Sequence, residues 1–258
     1  MPATKIIQQN KAHILYDACV ISTPSEDLFN PQWLVQQTKQ KIEIKPVAHE
    51  SNDAMGLQPM SMGRGAAWFV DYDKQQWVLR HYRRGGMLAR WNKQLYLGVS
   101  LEATRAWQEW RLLNSLYALD LPVPQPVAAW VTWPYGRWSG LYKAAILINR
   151  IPHAMTLAEK CQRQNVSVEI WRSVGQCIRM FHNHNVYHAD LNANNILFDQ
   201  NDKVYLIDFD KGCIKSNGMW KAENLNRLHR SLLKLQGMYA GFGFLEKDWG
   251  VLLDVYKG

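Results

Sequence analysis

The chain has 258 residues, 47% of them hydrophobic and 20% charged, which is enough apolar content for one large domain or two smaller lobes. Its formal net charge of +8 favours an anionic partner: nucleic acid, an acidic membrane surface, or a phosphorylated or carboxylated substrate. No run reaches the roughly 18 apolar residues that a membrane span needs. The opening residues lack the apolar stretch of a secretory signal, and Cys19, Cys161, Cys177 and Cys213 show no Cys-x-x-Cys spacing. Neither a disulfide framework nor a zinc site is indicated, and a reduced, cytoplasmic protein is expected. Twelve tryptophans can serve as core filler or as interfacial anchors, and for any single one the core is expected.

In chain order, residues 1–50 form a preface with no readable role, apart from Asn30-Pro31, an N-cap and first helical residue that open a helix through residues 32–39. Two strands joined by a polar turn at 71–76 follow, the first running through Trp68 and Val70 and the second through Trp77, Val78 and Arg80 to Tyr82. Gly63 and Gly65 precede the first strand as the leading glycines of a Gly-x-Gly-x-x-Gly-x-Val loop, which lets backbone amides approach phosphates. Trp68 stands at its third glycine and Val70 at its valine. On the second strand Arg80 is the candidate phosphate-binding cation. The cluster from Arg80 through Arg83 and Arg84, with Arg90 and Lys93 beyond, is dense enough in charge to dock a phosphate or carboxylate.

Ser100 is read as the N-cap of a helix over 100–119, with Ala103, Ala106, Trp110, Leu113 and Tyr117 on its inward face. Glu109, or alternatively Glu102, is its candidate partner for Arg80. Three prolines between 121 and 126 force an extended segment. A buried strand at 144–148 then leads to a lobe boundary, dividing the chain into an N-terminal lobe (1–149) and a catalytic lobe (150–258). A helix over 168–182, with Ile170, Val174, Cys177, Ile178 and Phe181 on one face, delivers the chain to His188-Ala-Asp190. His182, His184 and His188 are not expected to converge on a metal, because Asn183 and Asn185 end the helix between them. His188 is expected to hold the loop that carries Asp190. A last helix over 222–236 turns Leu225, Leu228, Leu232 and Leu235 inward and carries a basic stripe of Arg227, Arg230 and Lys234, a solvated face or a contact for an anionic substrate or lipid.

The chemistry concentrates between His188 and Asp208. Asp190 and Asn195 share one loop before the apolar Ile196-Leu197-Phe198, and a turn at 199–202 starts a hairpin that ends at Asp208 and returns it beside Asn195. Phosphoryl transfer needs a carboxylate to receive the proton of the attacking hydroxyl and oxygen ligands to hold Mg²⁺ against the nucleotide phosphates. This segment supplies both, with Asp190 as catalytic base and Asn195 and Asp208 as metal ligands. The pattern His-x-Asp-x4-Asn followed by Asp-Phe is the signature of the protein-kinase superfamily, with Asp210 in place of the usual glycine.

More specifically, the chain resembles the Kdo (3-deoxy-D-manno-octulosonic acid) kinases of the lipopolysaccharide kinase group. The resemblance rests on Gly63-Arg-Gly65, Leu79-Arg80-His-Tyr82 with Arg84-Gly-Gly86, Leu121-Pro-Val-Pro124, Asp190-Leu-Asn-Ala193 with Asn195-Ile-Leu197, Asp208-Phe-Asp-Lys211, and Asn224-Leu-Asn-Arg-Leu228 with Arg230-Ser231. It implies an α+β, two-lobed protein-kinase-like fold, with an antiparallel sheet and one main helix in the N-lobe and a mostly helical C-lobe. It also implies ATP and Mg²⁺ as cofactors, and phosphorylation of the 4-hydroxyl of a Kdo sugar on a lipid A precursor at the cytoplasmic face of the inner membrane. Arg80 stands where kinases carry lysine, and Asn192 where protein kinases carry a catalytic-loop lysine. A heptose kinase using the same machinery, or a pseudokinase binding module, are the alternative readings. No nucleic-acid motif accompanies the charge, and the sequence sets no oligomeric state.

Overall fold

The computed structural model describes residues 3–37, 67–72, 75–82, 95–98, 100–163 and 166–258. Gly63, Gly65 and the cations Arg83, Arg84, Arg90 and Lys93 lie outside them, as does the expected helix beyond residue 37. The chain divides into two compact units, Met1–Asn114 with Gln125–Arg150, and Ser115–Pro124 with Ile151–Gly258.

The first unit is built on an antiparallel sheet. Its strands are β1 (Thr4–Gln9), β2 (Ala12–Asp17), β3 (Ala67–Tyr72), β4 (Gln75–His81), β5 (Tyr96–Leu97), β6 (Pro126–Thr132) and β7 (Leu141–Asn149); the helices are α1 (Pro31–Gln37) and α2 (Arg105–Ala118). The order is β1-β2-β6-β7-β4-β3, with β5 paired to β7. Period-two alternation explains why both faces of this sheet are covered. On β4, Trp77 and Leu79 point into a cluster with Val70, Ala145 and Leu147 that also takes in Ile21, Leu28, Phe29 and Leu34 from the N-terminal segment. Arg80, which follows Leu79 on the opposite face, and Tyr82 just after the strand face α2 instead. The preface is therefore structural: β1 and β2 form a hairpin through Asn10, whose φ of 52° suits a tight turn, and β2 pairs with β6. Asn30 caps α1 as read, its Oδ1 accepting the Gln32 N–H at 3.0 Å.

Two details differ from expectation. The turn at 71–76 is tighter, because Asp71 pairs with Gln76 and Tyr72 with Gln75 in the β3–β4 ladder, and Tyr72 stacks on Trp77 at 5.4 Å. Ser100 does not cap α2. It opens a separate turn, accepting the Ala103 N–H at 3.3 Å, and the helix starts only after Thr104, whose hydroxyl donates to the Leu101 carbonyl at 2.6 Å. Ala103 and Tyr117 are exposed, and the buried residues of the helix include Ala106, Trp107, Glu109, Trp110, Leu113 and Leu116.

The second unit is mainly helical. After the proline segment, β8 (Met155–Thr156) leads into α3 (Leu157–Gln162), where Thr156 and Glu159 form a capping box. Then come α4 (Val168–Asn183), β9 (Val186–Tyr187), β10 (Ile196–Phe198), β11 (Val204–Leu206), β12 (Cys213–Ile214), α5 (Trp220–Met238) and α6 (Glu246–Lys257). The five expected apolar residues of α4 are buried, as are the four leucines of α5. β10 pairs with β11 and β8, and β12 with β9.

Helices α4 and α6 approach closely because Gly175 lacks a side chain: a Cβ there would lie 2.5 Å from the Leu252 carbonyl oxygen. In an open helix Gly→Ala gains about 1 kcal/mol. Here backbone meets the added methyl, so Gly175→Ala is expected to destabilise by about 1–3 kcal/mol. Thermal melting checks this, and an unchanged or raised midpoint would contradict it.

Candidate active site

The loop from His188 to Asn195 is fixed through its main chain, which leaves the Asp190 carboxylate outward. Helix α4 stops at Asn183, and Asn185 turns the chain with a φ of 58°. His188 is buried. Its Nε2–H donates to the Ile207 carbonyl at 2.8 Å and its bare Nδ1 accepts the Asp190 N–H at 3.2 Å, so one neutral tautomer serves both contacts. Burial above all holds the His188 pKa below the usual histidine value. Asn224 of α5 clamps the same residue, accepting its N–H at 3.2 Å and donating to its carbonyl at 2.9 Å. The Asp190 carbonyl accepts the side-chain amides of Asn192, at 3.1 Å, and Asn195, at 2.8 Å. Ser231 of α5 accepts the Ala193 N–H at 3.3 Å.

The hairpin ties in Asp208 as expected. Ile196 pairs with Leu206 and the Ile207 N–H donates to the Asn195 carbonyl at 3.1 Å, so Ile207 bridges Asn195 and His188. Asp208 has a φ of 63°, a conformation that aspartate tolerates better than most residues. The turn drives Phe209 into the core, its ring 4.7 Å from that of His188 and 5.7 Å from that of Phe181. Asp190 and Asn195 thus belong to one hydrogen-bonded framework centred on His188, and Asp208 directly follows Ile207, which closes it.

The candidate metal ligands, Asn195 and Asp208, fit a hard cation by donor chemistry. With its nitrogen committed to the Asp190 carbonyl, Asn195 leaves its amide oxygen as the remaining polar atom, and Asp208 adds a carboxylate. Such a pair suits Mg²⁺, which takes a few protein oxygens and fills its other positions with phosphate and water. The histidines go elsewhere: His182 Nδ1 meets the Tyr256 hydroxyl at 2.8 Å and His184 Nδ1 the Met180 carbonyl at 2.9 Å. Among the described residues no group of three or more His, Cys, Asp or Glu could hold a metal ion.

His182 makes stability depend on pH. Burial first, with smaller contributions from Lys221 and His188, lowers its pKa from 6.5 to about 4 against a raising bond to Asn224. Between those values the unfolded chain binds a proton that the folded one rejects. Stability is therefore full above the unfolded pKa, declines as pH falls toward 4 and levels off below, a loss on the order of 3 kcal/mol. Melting curves across this range should show the decline, and His182→Gln should reduce it, leaving the part that buried His188 contributes.

In the first unit the sequence left Glu109 and Glu102 open as partners of Arg80. Glu109, only 3% exposed, receives both the Arg80 guanidinium and the Tyr82 hydroxyl, one on each carboxylate oxygen. Glu102 is exposed and pairs with Arg111 at 2.8 Å. Tyr82 also lies under the guanidinium of Arg105, 5.4 Å from its ring centroid.

Some site residues were not placed at Asp190 by the sequence. Arg227, read only as part of a basic stripe, places Nη1 3.3 Å from Asp190 Oδ1. Asn224 and Ser231, which carried the resemblance, turn out to hold the loop. Their spacing shows that 224, 227, 228 and 231 share one face of a helix at i, i+3, i+4 and i+7, but not what that face meets.

Comparison with known proteins gives a consistent result. The sequence model of the Lipopolysaccharide kinase (Kdo/WaaP) family matches residues 59–256. The 3-deoxy-D-manno-octulosonic acid kinase of Actinobacillus succinogenes is 43% identical over 204 residues, covering 76% of this chain and 83% of the relative. That of Haemophilus influenzae (strain 86-028NP) is 42% identical over 200 residues (75% and 82%), and that of Xanthomonas axonopodis pv. citri 46% over 196 residues (76% of each).

Proposed function

The chain belongs to the lipopolysaccharide kinase (Kdo/WaaP) family, and from that premise we propose that it transfers the terminal phosphoryl group of ATP to the 4-hydroxyl of a Kdo sugar on a lipid A precursor. The observation that carries this reading is the His188–Asn195 loop, where every main-chain contact of Asp190 is internal while its carboxylate is half-exposed. In the proposed reaction the sugar oxygen attacks the terminal phosphorus and its proton passes to Asp190. The bond from that phosphorus to the bridging oxygen breaks, and ADP leaves. Asn195 and Asp208 would hold Mg²⁺, which when bound neutralises phosphate charge. Arg80, fixed by Glu109 and Tyr82, is assigned to the nucleotide phosphates, and the segment containing Gly63 and Gly65 to covering them.

We further propose that the protein works peripherally at the cytoplasmic face of the inner membrane. Exposed Leu97, Tyr135 and Trp138 cluster where β5 meets the turn before β7, with Arg137 among them, and that combination suits a lipid headgroup boundary. Among the described residues no helix is long and apolar enough to cross a membrane. The test is mass spectrometry of a Kdo-bearing lipid A precursor after incubation with the protein, ATP and Mg²⁺. One added phosphate on the sugar is the expected product, and an unmodified acceptor alongside intact ATP overturns the assignment.

A further inference from the structure

We propose that Arg227 is an acceptor-binding residue that recognises the carboxylate of the sugar acid and so selects acidic over neutral sugars; the inference rests on the kinase reading above. The acceptor class named for the relatives is an octulosonic acid, which is anionic at neutral pH. A carboxylate brought beside Asp190 would meet repulsion from that group, so a site for it needs a cation close to the catalytic acid. Asn192 cannot serve. It is neutral, and its side chain is committed to the loop, donating to the Asp190 carbonyl at 3.1 Å and accepting the Asn194 N–H at 2.9 Å.

Arg227 meets the requirement from a different element. Helix α5 is anchored against the loop by Asn224 and Ser231, one turn on either side of Arg227, so its guanidinium is delivered from a fixed base rather than from a free surface helix. Its single contact with Asp190 Oδ1 at 3.3 Å is too long to be a tight bidentate pair. A guanidinium has five N–H donors in a planar fork, and this contact engages one nitrogen. The side chain is 46% exposed and that of Asp190 59%, so both can be reached by a ligand arriving from solvent. Arg230 and Lys234 extend the positive charge along α5. The result is a cation next to the proposed base, about half-exposed and, among the described residues, engaged through one nitrogen, where an acidic sugar could meet it in a fork while offering its hydroxyl to Asp190.

The test compares the Kdo-bearing lipid A precursor with the same precursor carrying the sugar carboxyl as a methyl ester, using the full chain with ATP and Mg²⁺. In the unsubstituted protein kcat/KM should favour the free acid by about ten- to a hundredfold, the range expected for a hydrogen bond between charged groups. In Arg227→Gln that ratio should collapse toward one, mainly through KM for the acid, and Arg227→Lys should restore part of it. Any loss from altered folding or a disturbed Asp190 affects both acceptors and cancels in the ratio. An equal preference in Arg227→Gln and the unsubstituted protein, or no preference in the latter, overturns the assignment. Failure of the unsubstituted protein to phosphorylate either acceptor would instead overturn the kinase reading and this inference with it.

Discussion

Replacing Asp190 with asparagine is expected to lower kcat for phosphoryl transfer by about 10²- to 10⁴-fold, the usual contribution of a general base, while shifting stability by no more than about 0.5 kcal/mol. The two effects separate because the residue divides its work. Its N–H and carbonyl are the structural groups, bound to His188, Asn192 and Asn195. Asparagine keeps both. The carboxylate makes one half-exposed ion pair with Arg227, of a kind worth about 0–1 kcal/mol. Single-turnover kinetics at saturating ATP, together with a thermal melt, check the prediction. A variant that turns over at the original rate would remove Asp190 from the base role, and one that melts far below the original would show that the carboxylate supports the loop after all.

What could be read from the sequence follows from how local each signal is. The β10–β11 hairpin was legible because its turn, branched strands and terminal aspartate lie within a dozen residues, and α4 because five apolar residues repeat at helical spacing. The β1–β2 hairpin was not. Thr4–Gln9 is largely exposed and polar, so it shows no apolar alternation, and its pairing becomes favourable only because β2 adds to the distant β6. Ser100 looked like a helix cap because cap chemistry is the same for an isolated turn, and only the hydrogen bonds at Leu101 and Thr104 separate the two. The placement of Arg227 at Asp190 escaped for a related reason, since its stripe was readable only as a solvated face or an anion contact. Arg227 is remote from Asp190 in sequence, and no period within α5 distinguishes a cation facing solvent from one facing an acid. Glu109 and Glu102 stood as alternatives, and it is burial and the choice of arginine partner that separate them.

Glu109 also yields the largest expected loss of stability. Its carboxylate is nearly inaccessible and is addressed by two donors, the Arg80 guanidinium and the Tyr82 hydroxyl. Removing one member of a buried ion pair leaves the other desolvated without its counter-charge, so Glu109→Ala is expected to cost about 3–5 kcal/mol. Glu109→Gln should cost less, about 1–3 kcal/mol. Its amide oxygen can still accept from Arg80, and its amide nitrogen can donate to the Tyr82 oxygen once that hydroxyl rotates. The order matters more than either figure, since it separates lost bonding from lost charge. Urea denaturation of the two variants measures it. If the alanine and glutamine proteins are equally destabilised, neutralising the carboxylate is the whole effect and the shared bonding at Glu109 contributes nothing. If both match the original protein, the pair is dispensable for the fold, and its placement between α2 and β4 would have to be explained by the proposed phosphate-binding role of Arg80 alone, which a raised KM for ATP in the same variants would reveal.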